Sequence, residues 1–152
     1  MPDFVQSGSI TTLHELGDVN LESFERMLRE ATQSYKLGLI LPVTAGDMRA
    51  APFPQIIDHL RDADYIDTIV VALGVAPDQA DYREARDVVR PLGDRAEVLW
   101  TDGPQVSGLY QQLIDAGFSV SVPGKGRSAW TACGYLLADP RLNAFVLHDC
   151  DI

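Results

Sequence analysis

Apolar positions change period several times along the chain. Leu21, Phe24, Met27, Leu28 and Ala31 recur at helical spacing, which predicts a helix capped by Asp18 or Asn20 and running to about Ser34. Leu37-Gly38-Leu39-Ile40-Leu41 is then an unbroken apolar run closed by Pro42, the pattern of a strand buried on both faces of a parallel sheet. A loop rich in Gly, Pro and Ala is expected over residues 43–54, followed by a helix with Ile56, Ile57 and Leu60 facing inward. Thr68-Ile69-Val70-Val71-Ala72-Leu73 reads as a second strand, stopped by Gly74. The next helix, over about 78–90, presents Tyr82, Ala85, Val88 and Val89. Ala96-Glu97-Val98-Leu99-Trp100 is the third strand, and the helix after it, over roughly 104–116, points Val106, Leu109, Tyr110, Leu113 and Ile114 inward. A last helix carries Trp130, Cys133, Leu136 and Leu137 on one side and leads to Phe145-Val146-Leu147.

Strand and helix therefore alternate four times, which predicts an open, mostly parallel α/β sheet with helices on both faces, Rossmann-like in layout. Residues 1–20 are polar and weakly patterned, apart from a short strand candidate at Ile10-Thr11-Thr12-Leu13. They are expected to be an extension on an α/β domain spanning 21–152. There is no internal repeat. No apolar run reaches the ~18 residues of a membrane span, and Met1 to Ser9 lack the pattern of a signal peptide. The expected location is the cytoplasm, with no membrane partner.

The net charge of −10 argues against nucleic acid, whose phosphates need a basic face, but leaves room for an anionic small ligand at a local positive site. Two cysteines make neither a disulfide framework nor a zinc spacing, and Cys133 and Cys150 are expected to pack as apolar side chains. Trp100 and Trp130 are expected in the core rather than as stacking platforms.

In an open parallel sheet, ligands sit at the carboxyl ends of the strands. The loops there carry the chemistry. Asp149 and Asp151 follow the last strand one residue apart, so both carboxylates can reach one Mg²⁺ or Mn²⁺; a solvated loop pair or a helix cap is the alternative. His148 and Cys150 alternate away from them, and His148 is expected to play a structural or supporting part. Gly124-Lys125-Gly126-Arg127 opens a helix, and its glycines, cations and helix dipole suit a diphosphate, unless it is only an exposed turn. Its spacing is neither that of a P-loop nor that of a dinucleotide fingerprint. Asp102-Gly103-Pro104 is a turn in which Asp102 can accept a hydrogen bond from a ligand; Asp47 is a weaker candidate of the same kind.

Leu41-Pro42, Trp100-Thr101-Asp102-Gly103-Pro104, Pro123-Gly124-Lys125-Gly126-Arg127-Ser128-Ala129-Trp130 and Leu147-His148-Asp149-Cys150-Asp151-Ile152 occur in this order. Together they resemble the N-terminal, donor-binding half of a GT-A-fold glycosyltransferase, most like the glucosyl-3-phosphoglycerate synthases. The resemblance implies a nucleotide-sugar donor, a divalent metal and retaining transfer of a glucosyl or mannosyl group to 3-phosphoglycerate or a similar small phosphorylated acceptor. It implies donor contacts from Pro42, Asp102, Gly103, Gly124, Lys125, Gly126, Arg127 and Asp149, and metal ligands at Asp149 and Asp151, with no catalytic residue assigned. Two positions depart from the family pattern: residues 43–47 lack a glutamate, and the second strand ends in Gly74 where an aspartate is usual. Since the family uses a second half for the acceptor, this chain is expected to be incomplete. A sugar-phosphate nucleotidyltransferase and a non-catalytic nucleotide-sugar-binding domain are the rival readings, and an exposed sheet edge could pair two copies as a homodimer.

Overall fold

The computed structural model describes residues 20–150. They form α1 (Leu21–Ala31), β1 (Leu37–Thr44), α2 (Ala45–Met48), α3 (Pro52–Leu60), β2 (Thr68–Gly74), α4 (Gln79–Val89), a 3₁₀ segment (Arg90–Arg95), β3 (Ala96–Trp100), α5 (Pro104–Asp115), α6 (Lys125–Leu137) and β4 (Ala144–Leu147). The four strands make one all-parallel sheet in the order β3-β2-β1-β4. This is the expected α/β architecture.

The apolar runs of β1 and β2 put these strands at the centre, where side chains on both faces find a partner. Leu39, Leu41 and Val43 of β1 and Ile69, Val71 and Leu73 of β2 share one face, and α2, α3 and α4 cover it with Met48, Phe53, Ile57, Ala85 and Val89. Ile40, Val70 and Ala72 point the other way and meet Ala132 and Leu136 of α6. The alternation is that of any pleated strand, but here both phases are apolar. Gly38 lets α6 come close, since a Cβ there would lie 3.2 Å from Leu136 Cδ1 and 3.1 Å from Phe145 Cβ.

Several expectations are corrected. β1 does not close at Pro42 but continues to Thr44, with Pro42 opposite Ala72. The backbone groups of Ile40 and Pro42 face the β4 side, where the register ends at Ile40↔Leu147. Pro42 therefore costs the ladder no donor. The expected loop over 43–54 contains α2, because Thr44 caps it by accepting from the Asp47 N–H at 3.1 Å. Asn20 caps α1, which ends at Ala31, and none of its residues is buried: Leu21, Phe24 and Met27 are 66%, 55% and 59% exposed. In α5 only Tyr110 is buried, while Leu109 and Ile114 are exposed. In α6 the buried stripe is Ser128, Ala132 and Leu136. Trp130 and Leu137 lie off that stripe and are exposed, and Cys133 is half-buried. Helix geometry offered two stripes, and the one with smaller residues allows the closer approach to the sheet. At the edge, β4 covers Phe145 partly but leaves Val146 and Leu147 exposed.

Cys150 is buried in the larger cluster, as expected, and both cysteines are free thiols. Among the described residues no helix is long and apolar enough to cross a membrane. The strand candidate at residues 10–13, the alternative cap Asp18 and the second aspartate of the expected metal pair, Asp151, lie outside the described residues.

Candidate functional site

At the carboxyl edge of the sheet, the loops after all four strands are joined by α6. Its N-terminus lies directly above the end of β2. A Cβ on Gly74 would stand 2.2 Å from Ser128 Oγ and 3.2 Å from Thr101 Oγ1. Ser128 and Thr101 are buried, their hydroxyls are 3.0 Å apart, and the Thr101 hydroxyl donates to the Leu73 carbonyl at 2.8 Å. This packing gives a reason for glycine at the end of β2: an aspartate side chain there would occupy the space of Ser128.

The turn after β3 is stitched to the turn after β2 twice. The Ala76 N–H donates to Asp102 Oδ2 at 3.0 Å, and Trp100 Nε1 donates to the Ala76 carbonyl at 2.7 Å. Trp100 is half-buried and stacks on Tyr82, with ring centroids 5.3 Å apart. Gly103 is held small by the same ring, which a Cβ would meet at 2.7 Å. Just before them Val75 adopts φ +50°, a strained conformation for a β-branched residue.

Arg127 was expected to face a diphosphate. Its side chain is instead only 10% exposed, pairs through Nη2 with Asp102 Oδ1, and lies with its guanidinium 4.3 Å from the Tyr110 ring centroid. Nη1 also donates to the Val120 carbonyl at 3.4 Å. Nε is buried with no acceptor, an omission that costs about 1–3 kcal/mol. Asp102 is correspondingly committed, with one oxygen on Arg127 and the other on Ala76.

Lys125 is the cation that reaches the strand ends. Its Nζ lies 3.0 Å from Asp149 Oδ1 and 3.4 Å from Asp47 Oδ2. Asp47 is anchored by the Thr44 hydroxyl at 2.8 Å. That hydrogen bond, with help from Lys125, holds the Asp47 carboxyl below the usual aspartate range against the opposing effect of burial. Asp149 turns one oxygen to the Cys150 N–H at 2.8 Å, and its side chain is about half exposed. The His148 side chain is exposed, and its backbone N–H donates to the Ile40 carbonyl at 3.0 Å and extends the β1–β4 pairing.

Gly124 has φ +156°, a value that favours glycine, and no side chain caps the first turn of α6. The positive end of that helix thus opens beside Lys125. Pro42 is buried in β1 beneath this edge. Among the described residues no group of three His, Cys, Asp or Glu side chains could hold a metal ion. The carboxylate chemistry of Asp149 nonetheless suits a hard cation, and the Lys125 ammonium 3.0 Å away marks it as a place where positive charge is favoured.

The structure therefore brings together Lys125, Asp149 and Asp47, and separately Asp102, Gly103 and Arg127. Asp47 was a weak candidate, and its setting was readable from Thr44-Ala45-Gly46-Asp47, the spacing of a helix capping box. Tyr110 was expected only as an inward-facing helix residue and Ser128 only as part of its motif, and nothing in the sequence singled out Ala76. A groove of about 970 Å³ lies elsewhere, along the open edge of β3 between Arg83, Arg86 and Glu97, and contains none of these residues.

Over all 152 residues the chain is 38% identical to a glucosyl-3-phosphoglycerate synthase of Persephonella marina. It spans 38% of that protein's length. The resemblance carried by the motifs is thus matched by likeness along the whole chain. No family model matches it, and no solved structure does.

Proposed function

We propose that this chain is the donor-binding part of a hexosyltransferase that moves a glucosyl or mannosyl group, with retention, from a nucleotide sugar to 3-phosphoglycerate or a similar small phosphorylated acceptor. The observation that carries the reading is Lys125 at the N-terminus of α6, reaching Asp149 at the carboxyl end of β4. A helix N-terminus, a lysine and a carboxylate meet there, as a metal-bound diphosphate requires. The 38% identity to the Persephonella marina synthase supports the choice of reaction class.

In this reading Asp149 and Asp151 hold Mg²⁺ or Mn²⁺. When bound, the cation supplies positive charge to the leaving diphosphate. The chain's own residues do the rest. Gly124 and Gly126 keep side chains away from the phosphate path, and Lys125 turns toward the phosphates from Asp47 and Asp149. Gly103 shapes the wall of the donor pocket, Asp102 holds that turn in place through Arg127 and the Ala76 N–H, and Pro42 supports the floor. Asp47, in the loop where the family pattern has a glutamate, is the acidic group available to the nucleotide. Acceptor contacts are assigned to the part of the relative's length that this chain does not span.

Calorimetry tests this with UDP-glucose and GDP-glucose, each with and without Mn²⁺. Binding that needs Mn²⁺ and is lost in Asp149→Ala and Asp151→Ala supports the reading. Metal-independent binding, or none, counts against it. Pyrophosphate release from a nucleoside triphosphate and a sugar phosphate would point to a nucleotidyltransferase instead.

A further inference from the structure

We infer that Asp102 and Arg127 do not contact the donor but act as a latch whose task is to position Lys125, an inference that rests on the function proposed above. Arg127 lies two residues after Lys125 in the first turn of α6, so fixing its side chain fixes the backbone from which Lys125 projects. Three contacts fix it: the ion pair with Asp102, the face of Tyr110 and the Val120 carbonyl. Asp102 passes the constraint on, because its second oxygen holds the Ala76 N–H in the loop after β2. Tyr110 is itself held, its hydroxyl 2.7 Å from Thr131 Oγ1 on the next turn of α6.

The choice of arginine carries the inference further. Its Nε is buried without an acceptor. A lysine would make an ion pair with Asp102 and leave no such donor. What lysine lacks is the flat guanidinium that can give one nitrogen to Asp102 and another to the Val120 carbonyl while lying on an aromatic ring. The site therefore uses the plane of Arg127, not only its charge, and a plane is what fixes orientation. The loops after β2 and β3 and the first turn of α6 form one rigid piece, from which Lys125 reaches across to Asp47 after β1 and Asp149 after β4.

Two readouts on the 152-residue chain test this. Amide hydrogen exchange without ligand reports on the latch, and calorimetry with UDP or GDP plus Mn²⁺ reports on its purpose. Arg127→Lys keeps the charge, and Tyr110→Leu is a milder variant that keeps the ion pair. Ile57→Ala, a buried change in α3 and outside α6 and the loops after β2 and β3, lowers stability at a distance from the latch. The expected result is exchange roughly tenfold faster at residues 124–127 in Arg127→Lys and Tyr110→Leu, with β2 amides unchanged, and nucleotide binding roughly tenfold weaker. Ile57→Ala should bind nucleotide as the parent does. Unchanged exchange at 124–127 would overturn the latch. Faster exchange with undiminished binding would overturn its positioning role. If the parent chain binds no nucleotide while the variants do loosen 124–127, the proposed function fails and the positioning role fails with it.

Discussion

Gly74 illustrates how one position couples the sheet to the site. The Ser128 hydroxyl occupies the space a Cβ would need, so Gly74→Ala must turn that buried hydroxyl out of its hydrogen bonds or push α6 away from the end of β2. Overpacking of this kind costs about 1–3 kcal/mol. In urea unfolding, Gly74→Ala should lose stability in that range, and adding Ser128→Ala should return part of it; a double variant no better than the single one would contradict the packing described. Asp47 makes a prediction in pH. Its folded carboxyl sits below the usual range, so its contribution is present above the unfolded value near 3.8 and is lost as pH falls through the lower, folded value. Asp139, held at about 2 chiefly by the Arg141 side chain, behaves in the same sense over the same acid window. Below about pH 4, Thr44→Val should therefore lose less stability on acidification than the parent chain, as read by thermal melts across pH 2–5.

At the scale of the element, α6 is the informative case. Leu136 is buried between the helix and the sheet, whereas Leu137 is 74% exposed. Leu136→Ala should cost about 2–5 kcal/mol and Leu137→Ala less than about 0.5 kcal/mol in denaturant unfolding. Equal effects would mean that the helix lies on the sheet in a different rotation. Of the expected stripe Trp130, Cys133, Leu136 and Leu137, Leu136 is buried and Cys133 half-buried while Trp130 and Leu137 are exposed, because apolar periodicity marks a helix without saying which neighbours cover it. The strands were more legible: β2 matches its expected span to within one residue, since a run buried on both faces has no second phase to confuse it. β1 misled at Pro42 because the side on which a strand is paired, and so whether proline is tolerated, is a property of the assembled sheet. α1 was legible as a helix, yet its apolar face is exposed among the described residues.

At the scale of the molecule, the parallel sheet and the gathering of loops at its carboxyl edge followed from the alternation of patterns and the rule for open α/β sheets. The pairing of Lys125 with Asp149 was implied only in that both motifs sat at that edge. The diversion of Arg127 to Asp102 was not implied at all, because no local pattern tells a buried arginine from one facing a ligand. The net charge of −10 bears on function here. With so few cations in the chain, committing Arg127 to a buried pair leaves Lys125 as the cation that bridges the β1 and β4 loops. The most direct test of the central claim is calorimetric titration of UDP-glucose or GDP-glucose, with Mn²⁺, into the parent chain and into Lys125→Ala and Asp149→Ala. The account predicts Mn²⁺-dependent binding to the parent that falls by roughly tenfold or more in both variants. Binding that both variants retain in full would contradict it.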